Sequence, residues 1–259
     1  MTGGLCTIVP CFNEFERLPV DEWRRAFAGE PDALWLLVDD GSTDDTLDLL
    51  KCLADSFPNV EVLELPLNMG KAEAVRRGAL WALQETACEW VGYLDADLAT
   101  PADELRRIFE RHAERSEVLA ILGSRIQRLG SRIERKMARH YFGRCAATAI
   151  SVVLRLPTYD TQCGAKAIRR DLAAEVFALP FASRWLFDAE LIARCRNLLG
   201  SAKVLSNLVE EPLDVWHEKP GSKIRPVDLL RLPLDLWRLH RIYNISSSRR
   251  SGVGQQSSP

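Results

Sequence analysis

The 259-residue sequence predicts an α/β fold: a mostly parallel sheet with helices on both faces. Two observations carry this. Through the first half, unbroken apolar runs alternate with amphipathic helical patterns, and polar clusters close three of those runs. Strands buried on both faces read as continuous apolar stretches, and crossover helices supply the cover.

The apolar runs are "LCTIVP" (5–10), "LWLLVDD" (34–40), "VEVLEL" (60–65), "WVGYLDA" (90–96) and "VLAILGS" (118–124). Helical patterns fall between them at 44–57, 71–85 and 101–115. The second half is less regular. A basic helical segment is expected from about Ser131 to Leu154, then a loop, "PTYDTQCGAKAIRRD", and a helix opening at "FDAELIARC". Two short strands are expected near 203–209 and 213–216. From Val227 to Ile245 leucines and Trp237 alternate with Arg231, Arg238, His240 and Arg241, an amphipathic pattern. The stretch after it, 246–259, has too little apolar surface to pack and is expected to be disordered.

Composition narrows the function. Hydrophobic residues at 47% and charged residues at 27% suit a soluble globular protein. A net charge of −2 gives no overall attraction to nucleic acid, so no nucleic-acid partner is expected. Seven cysteines, scattered without metal-type spacing, read as reduced thiols that pack. The start lacks the basic and apolar stretches of a signal peptide. The charge-free run "CAATAISVVL" is about half of what a spanning helix needs, so no transmembrane segment is expected.

Three polar clusters, "PCFNE", "DDGSTD" and "DADLAT", sit at the carboxyl ends of predicted strands, where open α/β sheets bind ligands. Asp40 closes a strand and can accept hydrogen bonds from a base or ribose, although an ordinary capped turn has the same pattern. No dinucleotide fingerprint or P-loop is present. In "NMGKAEAVRRG", Lys71 and a helix N-terminus are suited to a diphosphate. Asp95 and Asp97 repel each other unless a cation relieves them, and hard divalent ions favour carboxylates together with phosphate oxygens. Mg²⁺ or Mn²⁺ bridging these residues to a nucleotide diphosphate is the expected cofactor.

The motifs "TIVPCFNE", "LVDDGSTDDT", "NMGKAEAVRRG", "YLDADLATP", "GSR" and "FDAEL" resemble, in order, those of inverting family 2 glycosyltransferases of the GT-A fold. Downstream, "YDTQCGAKAIRRD" (159–171), "RWLFDAEL" (184–191) and "WHEKPGSKIRP" (216–226) resemble the dolichyl-phosphate β-glucosyltransferase branch, a cousin of the dolichyl-phosphate mannosyltransferases. The resemblance implies a single GT-A catalytic domain over 1–226, with the amphipathic segment over 227–245. It implies donor-site roles for Pro10, Phe12, Glu14 and Asp40 at the nucleoside, and for Lys71, Asp95, Ala96 and Asp97 at the diphosphate and metal. Arg125 and Arg139 fall where these families bind the acceptor's phosphate, which agrees with arginine's bidentate chemistry. Where mannosyl relatives often carry Gln or Ser, this sequence has Ala99, so Thr100, water or donor oxygens would complete the metal shell.

Lys223 and Arg225 flank a Pro-Gly-Ser loop that could close over a diphosphate. Asp188 is either a helix cap, a base for a hydroxyl acceptor, or an orienting group where the acceptor is already anionic. The expected activity is hexose transfer, glucose favoured, from a nucleotide diphosphate sugar, UDP favoured, to a polyprenyl phosphate with inversion. Transfer to a hydroxyl with Asp188 as base, or a non-catalytic nucleotide-sugar-binding module, are the alternatives. A polyprenyl phosphate implies peripheral docking on the cytosolic face of a membrane, through the basic 131–154 segment or the 227–245 segment.

Overall fold

The computed structural model describes residues 4–133, 137–219 and 226–243, with side chains for all of these except 137–145 and 226–231. Its first half follows the alternation: β1 (Leu5–Cys11), α1 (Val20–Gly29), β2 (Leu34–Asp39), α2 (Thr46–Ser56), β3 (Val60–Glu64), α3 (Lys71–Glu85), β4 (Trp90–Tyr93), α4 (Ala102–His112) and β5 (Ala120–Ser124). There follow β6 (Arg132–Ile133), α5 (Met137–Leu154), β7 (Lys166–Arg169), α6 (Arg170–Val176), α7 (Phe187–Asn207), β8 (Leu208–Pro212), β9 (Val215–Trp216) and α8 (Pro226–Ile242).

Seven strands form one sheet in the order β3-β2-β1-β4-β7-β5-β8, and β6 pairs with β9 in a small second sheet. All neighbours in the large sheet are parallel except β7, which runs antiparallel to both β4 and β5. The chain runs outward from β1 through β2 to β3, then returns to place β4 on the other side of β1. That reversal opens a crevice at the carboxyl ends of β1 and β4, where such sheets take ligands.

Strand alternation divides the core between the two faces. Ile8, Leu36 and Val38 pack with α3, α5, α6, α7 and α8, whereas Val9, Trp35 and Leu37 pack with α1, α2 and α4. On the first face α3 lies almost directly on β1. A Cβ at Gly78 would stand 2.7 Å from Ile8 Cγ2, so glycine is what permits this approach. On the second face Trp23, Phe27 and Trp35 contact one another at centroid separations of 5.4–5.6 Å. Each large apolar side chain buried this way contributes about 1.5–3 kcal/mol.

Three expectations are corrected, and one element was not expected. The stretch expected as a loop at 157–171 contains β7 and the start of α6, and β7 lies inside the sheet. Its four residues begin with a lysine and end with an arginine, which leaves only "AI" to mark a strand. The basic helix does not start near Ser131: residues 132–133 pair in register with 215–216, and α5 opens at Met137. Residues 203–207 complete α7, so β8 begins only at Leu208. Helix α1, which follows Pro19 and buries Trp23 and Phe27, has no counterpart in the predicted elements.

Of the six described cysteines, Cys6, Cys11, Cys163 and Cys195 are buried, as packing residues should be, while Cys52 is exposed. Among the described residues no helix is long and apolar enough to cross a membrane.

Candidate active site

The loops after β1, β2 and β4 meet at the crevice. The first two are stitched together: Asn13 N donates to Ser42 Oγ (3.0 Å), Thr43 N to Asn13 Oδ1 (2.9 Å), and Glu14 N to Thr46 Oγ1 (2.8 Å). These bonds fix the segment carrying Pro10, Phe12 and Glu14. Glu14 is buried and pairs with Arg17 at 2.9 Å.

Asp40, expected at the nucleoside, is buried with both carboxylate oxygens engaged. It accepts from Asn68 Nδ2 (3.0 Å), Met69 N (2.9 Å) and Gly70 N (2.7 Å), and so anchors the loop leading into α3. Burial raises its carboxyl above the ordinary value despite these donors. Its neighbour Asp39 is the residue that the sequence reading overlooked. Asp39 Oδ2 accepts Ser42 N at 3.1 Å, while Oδ1 is buried without a hydrogen-bond partner. The doubled aspartate was the signal, and only the side-chain directions separate anchor from open acceptor.

After β4, Asp95 and Asp97 are both half-buried, with Ala96 buried between them. Trp23 of α1 holds this turn through an Nε1 donation to Ala96 O at 2.9 Å, and Asp97 Oδ1 caps it by accepting Ala99 N at 2.9 Å. Burial, followed by the charge of Asp95, raises the Asp97 carboxyl above its usual range. A cation is what this pair lacks energetically. Lys71, the first residue of α3, partly supplies it through an ion pair with Asp95. Desolvation would lower the Lys71 ammonium, but Asp95, Asp188 and Asp97 outweigh it and hold it above its ordinary value.

Two of the three downstream motifs reach this turn, and the third reaches the loop before α3 and the end of β4. A Cβ at Gly164 would overlap the Asp95 carboxylate, so the "DTQCG" stretch packs backbone against it. His217 N donates to Ala99 O at 2.8 Å. From 184–191, Arg184 Nε donates to Met69 O (3.1 Å), reinforcing the loop that Asp40 grips. Asp188 is buried at the start of α7, where its Oδ1 accepts from both Tyr93 Oη and Lys166 Nζ.

Arg125, just past β5, is bound bidentately by Asp160: Nε to Oδ2 at 2.6 Å and Nη2 to Oδ1 at 2.8 Å. Desolvation opposes its charge, but Asp160 overcomes this and raises the guanidinium above its ordinary value. The guanidinium also lies 5.6 Å from the Trp216 ring centroid. Two of its three nitrogens are therefore committed within the protein. Arg139 lies on α5, but its side chain is outside the described residues, as are Lys223 and Arg225 entirely.

Gly164, Asp160, Lys166 and Tyr93 were not singled out by the sequence. A lysine inside an apolar stretch is the signal that could have found Lys166, since a buried ammonium demands a carboxylate partner.

The family model for glycosyl transferase family 2 matches residues 6–177, more than half of the chain. The chain belongs to glycosyl transferase family 2. This family 2 glycosyltransferase is 29% identical over 243 residues to a dolichyl-phosphate beta-glucosyltransferase of Trichomonas vaginalis, covering 88% of this chain and 68% of that protein. It is 31% identical over 242 residues to the dolichyl-phosphate beta-glucosyltransferase of Mus musculus, covering 87% and 71%. Among solved structures, it resembles glucosyl-3-phosphoglycerate synthase from Mycobacterium tuberculosis in complex with Mn²⁺, uridine-diphosphate and glucosyl-3-phosphoglycerate, with a TM-score of 0.65 at 17% identity over 94% of this chain and 81% of that one. At that identity the likeness shows a shared GT-A fold.

Proposed function

We propose that this family 2 glycosyltransferase moves glucose from UDP-glucose to a dolichyl or other polyprenyl phosphate, with inversion at the anomeric carbon. The observation that carries the reading is the contact of Gly164 with Asp95. The stretch that most specifically resembles the β-glucosyl branch forms a wall of the expected diphosphate site. Support comes also from relatives named dolichyl-phosphate beta-glucosyltransferase across most of both chains. The uridine-diphosphate in the structurally similar synthase supports a uridine donor.

Mg²⁺ or Mn²⁺ fits Asp95 and Asp97, whose mutual repulsion and burial favour a divalent cation. Among the described residues no group of three or more His, Cys, Asp or Glu is arranged to hold a metal unaided. Phosphate oxygens of the donor would therefore complete the shell. When bound, such an ion offsets the negative charge that builds on the leaving diphosphate.

The protein's own groups do the rest. Asp39 Oδ1 is an acceptor in need of an N–H, such as that of a base edge. Lys71 and the α3 N-terminus face the diphosphate. Arg125 and Arg139 are assigned to the acceptor's phosphate, with Arg125 oriented by Asp160 and offering its remaining nitrogen. An acceptor phosphate is already ionised at neutral pH, so positioning and electrostatics dominate. Peripheral docking on a membrane's cytosolic face belongs to the same reading, with the outer face of α8 as the contact.

The test is to supply UDP- and GDP-sugars with Mn²⁺ to a short polyprenyl phosphate and, separately, to the matching polyprenol. Glucosyl phosphate lipid from UDP-glucose is the expected product. Transfer to the polyprenol alone would overturn the reading in favour of a hydroxyl acceptor.

A further inference from the structure

Arg184 is exposed, yet its guanidinium is held in one place. Nε donates to Met69 O at 3.1 Å. A Cβ at Gly70 would stand 2.8 Å from Arg184 Nε and 3.0 Å from Nη2, so the guanidinium rests on the bare backbone of that glycine. Gly70, with φ +92°, is the N-cap of α3. Further along the same segment, the ring centroid of Phe187 lies 5.5 Å from Nζ of Lys71, the residue after Gly70. Arg184 and Phe187 therefore flank the entry to α3, where Lys71 pairs with Asp95.

The backbone that carries Arg184 is itself fixed. Ala182 N and Ser183 N donate to Oε2 of the fully buried Glu190 at 2.8 and 3.2 Å, and Leu186 N donates to Ser183 Oγ at 3.0 Å. Fixing a side chain as long as arginine costs rotamer freedom, and one neutral carbonyl returns little. Other cations on the segments lining the crevice are matched by carboxylates: Arg17 by Glu14, Lys71 by Asp95, Arg125 by Asp160. Arg184 forms no ion pair among the described residues, and its Nη nitrogens have no hydrogen-bond partner there. A guanidinium anchored through Nε still presents two planar N–H donors, the geometry that matches two phosphate oxygens. A separate observation points to a ligand at this end of the crevice. Asp39 is 2% exposed, and its Oδ1 lacks a partner beside the Asp40 that grips Met69 N and Gly70 N.

Resting on the reading above, we propose that Arg184 is a donor-binding residue that takes a phosphate of the nucleotide diphosphate. Lys71, already engaged with Asp95, acts there as a point charge, and Arg184 supplies the directional fork. The acceptor's phosphate is left to Arg125. Such a contact reads the phosphates and ignores the base, so it separates a nucleoside from its diphosphate.

The test uses the full chain with Mn²⁺ and no acceptor, comparing UDP with uridine by calorimetry. Arg184→Gln, at an exposed position, is expected to weaken UDP binding by about ten- to hundredfold and to leave uridine unchanged. Arg184→Lys keeps the charge without the fork and should recover part of the loss. In a Lys71→Met background, Arg184→Gln should still weaken UDP by a similar factor, because the two groups meet the phosphates separately.

Unchanged UDP affinity in Arg184→Gln overturns the proposal, and a raised KM for the polyprenyl phosphate would then place the guanidinium at the acceptor. An equal loss for UDP and uridine also overturns it, leaving Arg184 as an anchor of the loop before α3. So does the absence of any further loss in the Lys71→Met background, since Arg184 would then act through that lysine. The broader reading fails separately, as a wild-type enzyme that binds GDP more tightly than UDP or glucosylates the polyprenol in preference to its phosphate. With a guanosine donor, Arg184→Gln would still weaken GDP and spare guanosine.

Discussion

Gly164 presses its backbone against the carboxylate of Asp95, leaving no room for a side chain between β7's approach and the turn after β4. Cysteine at 163 and alanine at 165 are both fully buried around it, so the backbone has nowhere to retreat. Gly164→Ala should therefore displace Asp95 while leaving the rest of the sheet in register. The expected result is a higher Mn²⁺ concentration for half-maximal transfer and at least about a tenfold loss of rate at limiting metal, the scale seen when a metal ligand is misoriented. A metal titration of the purified variant checks this, and an unchanged midpoint would separate Asp95 from the metal.

Asp97→Asn should abolish transfer, by at least about a hundredfold, while preserving the fold. Stability supplies an independent readout. The folded carboxyl lies above the ordinary value of about 3.9, so between the two values the folded protein binds more protons than the unfolded chain. Stability of the metal-free enzyme therefore falls as pH rises through that interval, and the deficit persists above it. Asparagine removes the repelled charge. Metal-free Asp97→Asn should melt higher relative to wild type at pH 8 than at pH 4, as scanning calorimetry would record.

Arg125→Ala should act on stability as well as on acceptor use. Removing the guanidinium takes the bidentate partner from Asp160, whose side chain is only 10% exposed, and costs about 3 kcal/mol, the low end for a buried pair broken from one side. Glu210 still holds Tyr159 N and Asp160 N, so the loop itself stays placed. Adding Asp160→Asn should restore much of the urea midpoint without lowering the raised acceptor KM. Recovery of both together would make Arg125 a structural partner only.

Helix α8 has two faces, which changes how membrane docking must be tested. Leu236 and Leu239 are buried in the core, and Tyr243 Oη donates to the buried Glu190 at 2.7 Å. Truncation after Pro226 would thus unpack the domain rather than remove an appendage. The outer face carries Leu234, Trp237 and Ile242, with 47%, 53% and 54% exposure, and the Arg241 guanidinium stacks 4.8 Å from the Trp237 ring centroid. Apolar residues beside arginines suit an interfacial helix. Full-length protein should float with anionic liposomes at low salt, and Trp237→Ser with Arg238→Gln and Arg241→Gln should reduce this by about 1 kcal/mol per arginine. Equal flotation of the two proteins would move the contact elsewhere.

What the sequence determined by itself was whatever local pattern encodes. Apolar runs alternating with amphipathic patterns mark β1 to β5, and the 71–85 periodicity marks α3 to the residue. A D-x-D closing such a run, in the same sheet as "DDGSTD", marks a candidate cation site, because the repulsion of two neighbouring carboxylates has to be relieved by a cation or by donors. Tertiary structure decided the rest, because those choices depend on partners far away in the chain. β7 is legible only once Asp188, 22 residues on, neutralises Lys166 in the sheet. Asp40 and Asp39 are interchangeable letters until the backbone at 69–70 claims one of them. Arg125 is a free phosphate ligand in the sequence and a bidentate partner of Asp160 in the fold. Charge placement is a long-range property: burial makes every unpaired ion costly, so the fold pairs ions across distances that no local window spans.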